Sequence, residues 1–190
     1  MSDHSQDEPS QDERSHVATF GGGCFWCVEA AFEELAGVTS VTSGYAGGHT
    51  EDPTYEAICS GTTGHAEVVQ IEYDHDVVDY DELLEVFFAV HDPTQLNRQG
   101  PDVGSQYRSI ILTHDDEQRR QAEAYVAALA EEYADDVVTE IEPLETFYEA
   151  EEYHQDYFAK NPNDAYCQFH ARPKVEKVRT KFAKKRKASE

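Results

Sequence analysis

Four cysteines, Cys24, Cys27, Cys59 and Cys167, hold the most reactive chemistry this sequence offers. Cys24 follows Gly21, Gly22 and Gly23 and precedes Phe25 and Trp26. Beyond it, Val28, Ala31, Phe32 and Leu35 keep helical spacing, with Gly37 as a stop. The spacing predicts a glycine-rich turn that opens a helix at Cys24. Free backbone N–H groups and the helix dipole stabilise negative charge at such a start, and a thiol attacks only as its thiolate. Cys24 is therefore expected to be held as an anion. The glycines let another backbone come close. The ordinary fate of a free cysteine is burial as a small hydrophobe, which would not call for this lead-in.

Cys24-x-x-Cys27 raises two further chemistries. A thioredoxin-like redox pair calls for a surrounding βαβ pattern and a proline-bearing spacer, and both are weak or absent here. A structural zinc site needs four ligands, usually as two close pairs. No second Cys-x-x-Cys exists and the nine histidines are scattered, so no metal is expected.

Strands and helices must position these thiols. Val17 to Phe20, Val38 to Tyr45, Ala66 to Tyr73, Gln106 to Thr113 and Val137 to Ile141 are predicted strands. Besides the helix after Cys24, helices are expected over Tyr80 to His91, after an Asp115 cap, over Glu151 to Lys160 and over Lys174 to Ala183. In the Asp115-capped helix Ala122, Tyr125, Val126 and Leu129 share a face. His49 to His65 reads as a polar loop, and a long loop carries Pro93, Gly100, Pro101 and Gly104. Helices are too few for regular βαβ repetition. The pattern predicts an α+β fold, a two-layer sandwich of ferredoxin-like type with a mixed, largely antiparallel sheet covered by helices.

The chain has 190 residues, enough for one compact core. Residues 1–15 are expected to be a disordered acidic segment, 16–183 a single catalytic domain and 184–190 a basic tail. The 39 acidic against 15 basic residues give a formal net charge of −24, which disfavours nucleic acid and anionic membranes. Such acidity is similar to that of proteins from salt-rich cytoplasm. The late basic cluster, Lys181, Lys184, Lys185, Arg186 and Lys187, is read as a solvated end. No apolar run suits a membrane span or a secretory signal, so a cytoplasmic monomer is expected.

Several ordered segments together resemble the peptide methionine sulfoxide reductases of type A. They are Gly22-Gly23-Cys24-Phe25-Trp26, Ser43-Gly44-Tyr45-Ala46-Gly47-Gly48, Pro53-Thr54-Tyr55-Glu56 and Cys59 through Glu67. His91-Asp92-Pro93, Gly104 through Ser109, Glu151-Glu152-Tyr153-His154-Gln155 and Asn161-Pro162 continue the series to about residue 170. The resemblance implies reduction of the S epimer of methionine sulfoxide, free or peptide-bound, without metal or bound cofactor and with thioredoxin as electron donor. It implies Cys24 as nucleophile, Glu67 as acid, Tyr55 and Tyr107 as donors to the sulfoxide oxygen, Phe25 and Trp26 as the methyl pocket and Asp102 at the substrate mouth. Strand alternation puts Glu67 on one face with Val69, Ile71 and Tyr73, where an apolar setting would keep the carboxyl protonated. Attack would leave a sulfenic acid on Cys24, and a second thiol would close a disulfide. Cys167 is the leading candidate for that thiol, with Cys27 the other; Cys59 is expected to be structural. Rival readings are a general disulfide oxidoreductase, a thiol peroxidase or a metal- or redox-sensing module. They leave Gly64-His65-Ala66-Glu67 and Gln106-Tyr107-Arg108 unexplained.

Overall fold

The computed structural model describes residues 16–182. The readings of 1–15 as disordered and of 184–190 as a basic tail lie outside the described residues. The elements run β1 (His16–Gly21), α1 (Phe25–Phe32), β2 (Val38–Ala46), α2 (Tyr55–Cys59), β3 (Ala66–Tyr73) and α3 (Tyr80–Ala89). A small hairpin follows, β4 (Arg98–Gln99) and β5 (Asp102–Val103). Then come β6 (Ile110–Thr113), α4 (Asp116–Ala130), β7 (Glu140–Pro143), β8 (Phe147–Glu149), α5 (Tyr157–Lys160) and α6 (Arg172–Lys181).

The main sheet has the order β7-β6-β1-β3-β2-β8. Its pairs are antiparallel except β6 with β7, which is parallel. The inner strands β6-β1-β3-β2, with α1 between β1 and β2 and α3 between β3 and β6, form the expected ferredoxin-like βαββαβ arrangement. One face carries the main core: Phe20, Val69, Ile71 and Tyr73 from strands meet Val28 and Phe32 of α1 and Leu83, Leu84 and Phe87 of α3. Each such side chain contributes about 1.5–3 kcal/mol by leaving water. Ala122 of α4 is fully buried there, with Tyr125, Val126 and Leu129 packed alongside. The other face holds a smaller cluster, Ala46, Ala66, Val68, Ile110 and Leu112. Among the described residues, no helix is long and apolar enough to cross a membrane.

Several boundaries differ from expectation for identifiable reasons. The polar loop after β2 contains α2, started by Thr54, whose side chain accepts from Ala57 N–H at 3.1 Å. Gln106 and Tyr107 are not strand; Ser105–Tyr107 is a 3₁₀ turn after Gly104, and β6 begins only at Ile110. The predicted helix over Glu151 to Lys160 is broken. Gln155 is buried and uses its amide on the backbones of Ser43 and Ala150, and Asp156 sits in the left-handed region (φ 55°). The Asp156 N–H serves Glu29 at 2.9 Å instead of a helix. The predicted strand at Val137 to Ile141 is shifted to β7, and β8, which pairs with β2, was not legible. The last helix starts at Arg172, after a π-helical turn over Cys167–Ala171.

Candidate active site

Cys24 is half-buried at the N-cap of α1. Gly23 before it takes φ +96°, a conformation open to glycine. A Cβ on Gly21 would lie 2.8 Å from the carbonyl oxygen of Glu67, so this glycine permits the close contact of β1 and β3. The chain thus leaves β1 beside Glu67, which is 1% exposed. Glu67 faces the same side as Val69, Ile71 and Tyr73, as strand alternation predicts. Its Oε1 accepts the Phe25 N–H at 3.1 Å, from the first residue of α1. Burial pushes its carboxyl up to about 8, with Asp102 and Cys27 adding and the Phe25 N–H opposing. At neutral pH this carboxyl keeps its proton.

The thiols divide their proton differently from expectation. Burial, the hydrogen bond with Cys27 and the charge of Glu67 push the Cys24 thiol well above its ordinary value, against the pull of the Trp26 N–H. Cys27 moves the opposite way. The hydrogen bond from Cys24 lowers it, helped by the charge of Lys174 and by Tyr166, and opposed by burial. At rest Cys24 keeps its proton and donates to Cys27, whose thiol is the more acidic of the two, which corrects the prediction of a Cys24 anion. The cause is local: the Phe25 N–H, one of the groups that would have served the anion, is given to Glu67.

Cys167 is fully buried, in one cluster with Cys27 and Ala171, against which Cys24 also packs. Burial pushes its thiol up to about 11, with Asp164 and Cys27 adding. Cys59, read from sequence as structural, is instead exposed at the end of α2 and hydrogen-bonded to Tyr55.

Tyr55 and Tyr107 are half-buried and both feel the charge of Glu67; Tyr107 also feels Asp102 and Cys24. Burial raises both phenols, which stay protonated and able to donate. Glu151 fixes the first of them, accepting Tyr55 N–H at 2.9 Å and the Tyr45 hydroxyl at 2.8 Å. Trp26 is half-buried, stacked on Tyr157 with centroids 3.7 Å apart, and donates its indole N–H to His154 Nδ1 at 3.0 Å. Phe25 is 1% exposed and packs on Tyr45 and His154, so its packing role is filled. Asp102, half-buried on β5, accepts the Tyr166 hydroxyl, which lies 3.9 Å from Cys27 Sγ. Cys24, Cys27, Asp102, Tyr166 and Lys174 line a cavity of about 80 Å³. A larger cleft of about 580 Å³, lined by His49, His65, Glu140 and Tyr148 among others, contains no thiol.

Arg108 ties the surrounding loops. It donates to the carbonyls of Ser105 at 2.9 Å and Gly64 at 3.0 Å, and pairs with Glu140 at 3.3 Å. His65 accepts the Gly48 N–H at 2.9 Å. Arg108 and His65, both in segments that carry the resemblance, thus hold neighbouring loops together. Tyr166 and Lys174 were missed by sequence reasoning. Tyr166 had a signal, its place beside Cys167; Lys174 had none, because a distant helix brings it in.

A half-buried thiol in contact with a second thiol, beside a buried protonated carboxyl and two phenols, defines a thiol oxidoreductase site. The family model for peptide methionine sulfoxide reductase matches residues 16–187, and the chain belongs to that family. Its chemistry is the thiol-dependent reduction of methionine sulfoxide. It is 75% identical over 171 residues to the peptide methionine sulfoxide reductase MsrA of Natronomonas pharaonis, covering 89% of this chain and 96% of that one. The MsrA of Haloquadratum walsbyi is 71% identical over 90% and 98% of the two chains. Among solved structures, Mxr1 from Saccharomyces cerevisiae in reduced form superposes with a TM-score of 0.78 at 36% identity, over 83% of this chain and 91% of that one. Mxr1 in complex with Trx2 gives 0.56 at 26% identity, over 79% and 89%.

Proposed function

We propose that this chain reduces the S epimer of methionine sulfoxide, free or in peptides, with Cys24 as nucleophile and Glu67 as the acid. The observation that carries the reading is the buried Glu67 carboxyl, protonated near neutrality and bonded to the first N–H of the helix that Cys24 caps. A sulfoxide oxygen leaves only when protonated, so the site needs an acid that still has its proton. Tyr55 and Tyr107 donate to that oxygen as its charge grows. Trp26, the half-buried member of the Phe25–Trp26 pair, receives the substrate methyl group, and Asp102 stands at the mouth. Cys24 attacks the sulfoxide sulfur as its thiolate, and the proton its thiol gives up replaces the one Glu67 has passed to the oxygen. Methionine leaves, and Cys24 becomes a sulfenic acid: R₂SO + Cys24–SH gives R₂S + Cys24–SOH.

A second thiol, Cys167 or Cys27, then condenses with the sulfenic acid, and a thioredoxin reduces the disulfide. The Mxr1–Trx2 complex supports that donor by analogy. A reducing compartment, the cytoplasm, suits the four free thiols. The test is a thioredoxin-coupled assay on separated sulfoxide epimers. Turnover confined to the S epimer and abolished by Cys24→Ser is the expected result; equal rates on both epimers contradict it.

A further inference from the structure

We propose that Lys174 selects Cys27 over Cys167 as the resolving thiol, by setting an ammonium against the Cys27 sulfur in the cavity behind Cys24. The inference rests on the reading of Cys24 as nucleophile.

Cys24 is the N-cap of α1 and Cys27 the third helical residue, positions whose side chains meet across the first turn, as in a capping box. The Cys27 N–H donates to the Cys24 carbonyl at 3.1 Å, and the two sulfurs share a hydrogen bond. A disulfide between them needs no large movement. Lys174, near the start of α6, is half-buried and anchored by donating from Nζ to the Val90 carbonyl. From there it lines the same cavity as both sulfurs.

The charges around Cys27 come from every side. Cys24 shares its helix, Asp102 faces it from β5, Tyr166 from the turn before α6 and Glu67 from β3. Glu67 is neutral at pH 7, and Asp102 is occupied by the Tyr166 hydroxyl. His170 lines the same cavity beside Tyr166. Among the described residues, Lys174 is a cation that acts on Cys27. Its own neighbours Cys27, Cys24 and Asp102 favour its charged form, while burial and Lys177 oppose it. His91, which also feels Lys174, is pushed down to about 4 by burial and adds no charge.

Cys167 lacks these features. It has no exposed surface, a raised thiol and the carboxylate of Asp164 beside it. Cys27 therefore closes the disulfide: Cys24–SOH + Cys27–SH gives Cys24–S–S–Cys27 + H₂O, the thiol proton leaving with the hydroxyl as water. An external dithiol then attacks the half-buried Cys24 sulfur, and Cys27 departs. A thiol with a lowered pKa leaves faster, so the same ammonium assists both halves of recycling.

The test uses the reduced full-length chain mixed with one equivalent of methionine S-sulfoxide and no reductant. Methionine release, sulfenic acid trapping and peptide mapping of the disulfide are followed across pH. In the unaltered chain the first disulfide is expected to be Cys24–Cys27. Lys174→Gln should still release methionine but close the disulfide about tenfold or more slowly at pH 7. Trapped sulfenic acid should accumulate, and the pH midpoint of closure should rise by about 1–3 units. Lys174→Arg should restore the midpoint. A first disulfide between Cys24 and Cys167, or a midpoint that Lys174→Gln leaves in place, overturns the proposal. Lack of methionine release from the unaltered chain overturns the reading of Cys24 beneath it. Methionine released by the variant shows that its fold is intact.

Discussion

Glu67 is where burial and chemistry meet most directly. The carboxyl binds its proton more tightly in the folded chain, at about 8, than at its ordinary value of 4.5. Between those values the folded chain holds the extra proton, so stability falls as pH rises through that window. Glu67→Gln removes this cost. The variant should gain on the order of 2–4 kcal/mol at pH 8 relative to the parent, and little at pH 4, in urea titrations. The same change should lower kcat by roughly 10²–10⁴-fold, and parent activity should decline above pH about 8 as the acid loses its proton. A rate that Glu67→Gln leaves intact would remove Glu67 from the reaction. Cys24, Glu67, Tyr55 and Tyr107, named from their motifs, fall in one neighbourhood of the fold. The resting proton on Cys24 was not legible in the sequence, because it depends on the hydrogen bond from Phe25 to Glu67 and on contact with Cys27. The contribution of Lys174 was likewise invisible, since nearly the whole domain must fold before it meets Cys27.

At the scale of elements, strand alternation and helix caps were read well, because both are local. Ala66–Tyr73 was predicted to the residue, and Asp115 does cap α4, accepting the Gln118 N–H at 2.8 Å. What failed were segments ruled by distant partners. Gln155 breaks a good helical pattern to bond with Ser43, and β8 exists only because β2 offers it an edge. Arg108 is the clearest such partner, since it joins the Gly64 and Ser105 turns to β7 through Glu140. Arg108→Met should cost about 2–3 kcal/mol, more than Glu140→Gln, because it strands two half-buried carbonyls as well as a carboxylate. Differential scanning calorimetry should show a Tm lower by about 5–10 °C. A loss no larger than that of Glu140→Gln would reduce Arg108 to an ordinary surface pair.

Over the whole molecule, charge dominates. A net charge of −24 on 190 residues means self-repulsion that salt must screen. The screening length shortens from about 10 Å at 0.1 M to about 3 Å at 1 M salt. The Tm should therefore climb by about 5–10 °C between these concentrations, which corresponds to roughly 2–3 kcal/mol. A Tm flat in potassium chloride would mean that the carboxylates are neutralised in some other way. Composition announced this property without reference to the fold. The fold class was also legible, because the mixed order of strand and helix periods suits a sheet covered by helices.

A carboxylic acid that keeps its proton beside Cys24 is the centre of the proposed chemistry. Infrared difference spectroscopy of the reduced chain, titrated from pH 5 to 10 against Glu67→Gln, reads that proton directly. A carboxyl C=O band that disappears near pH 8 and is absent from the variant is the predicted result. A Glu67 band already lost at the start of the titration would leave the sulfoxide oxygen without its acid and contradict the proposed mechanism.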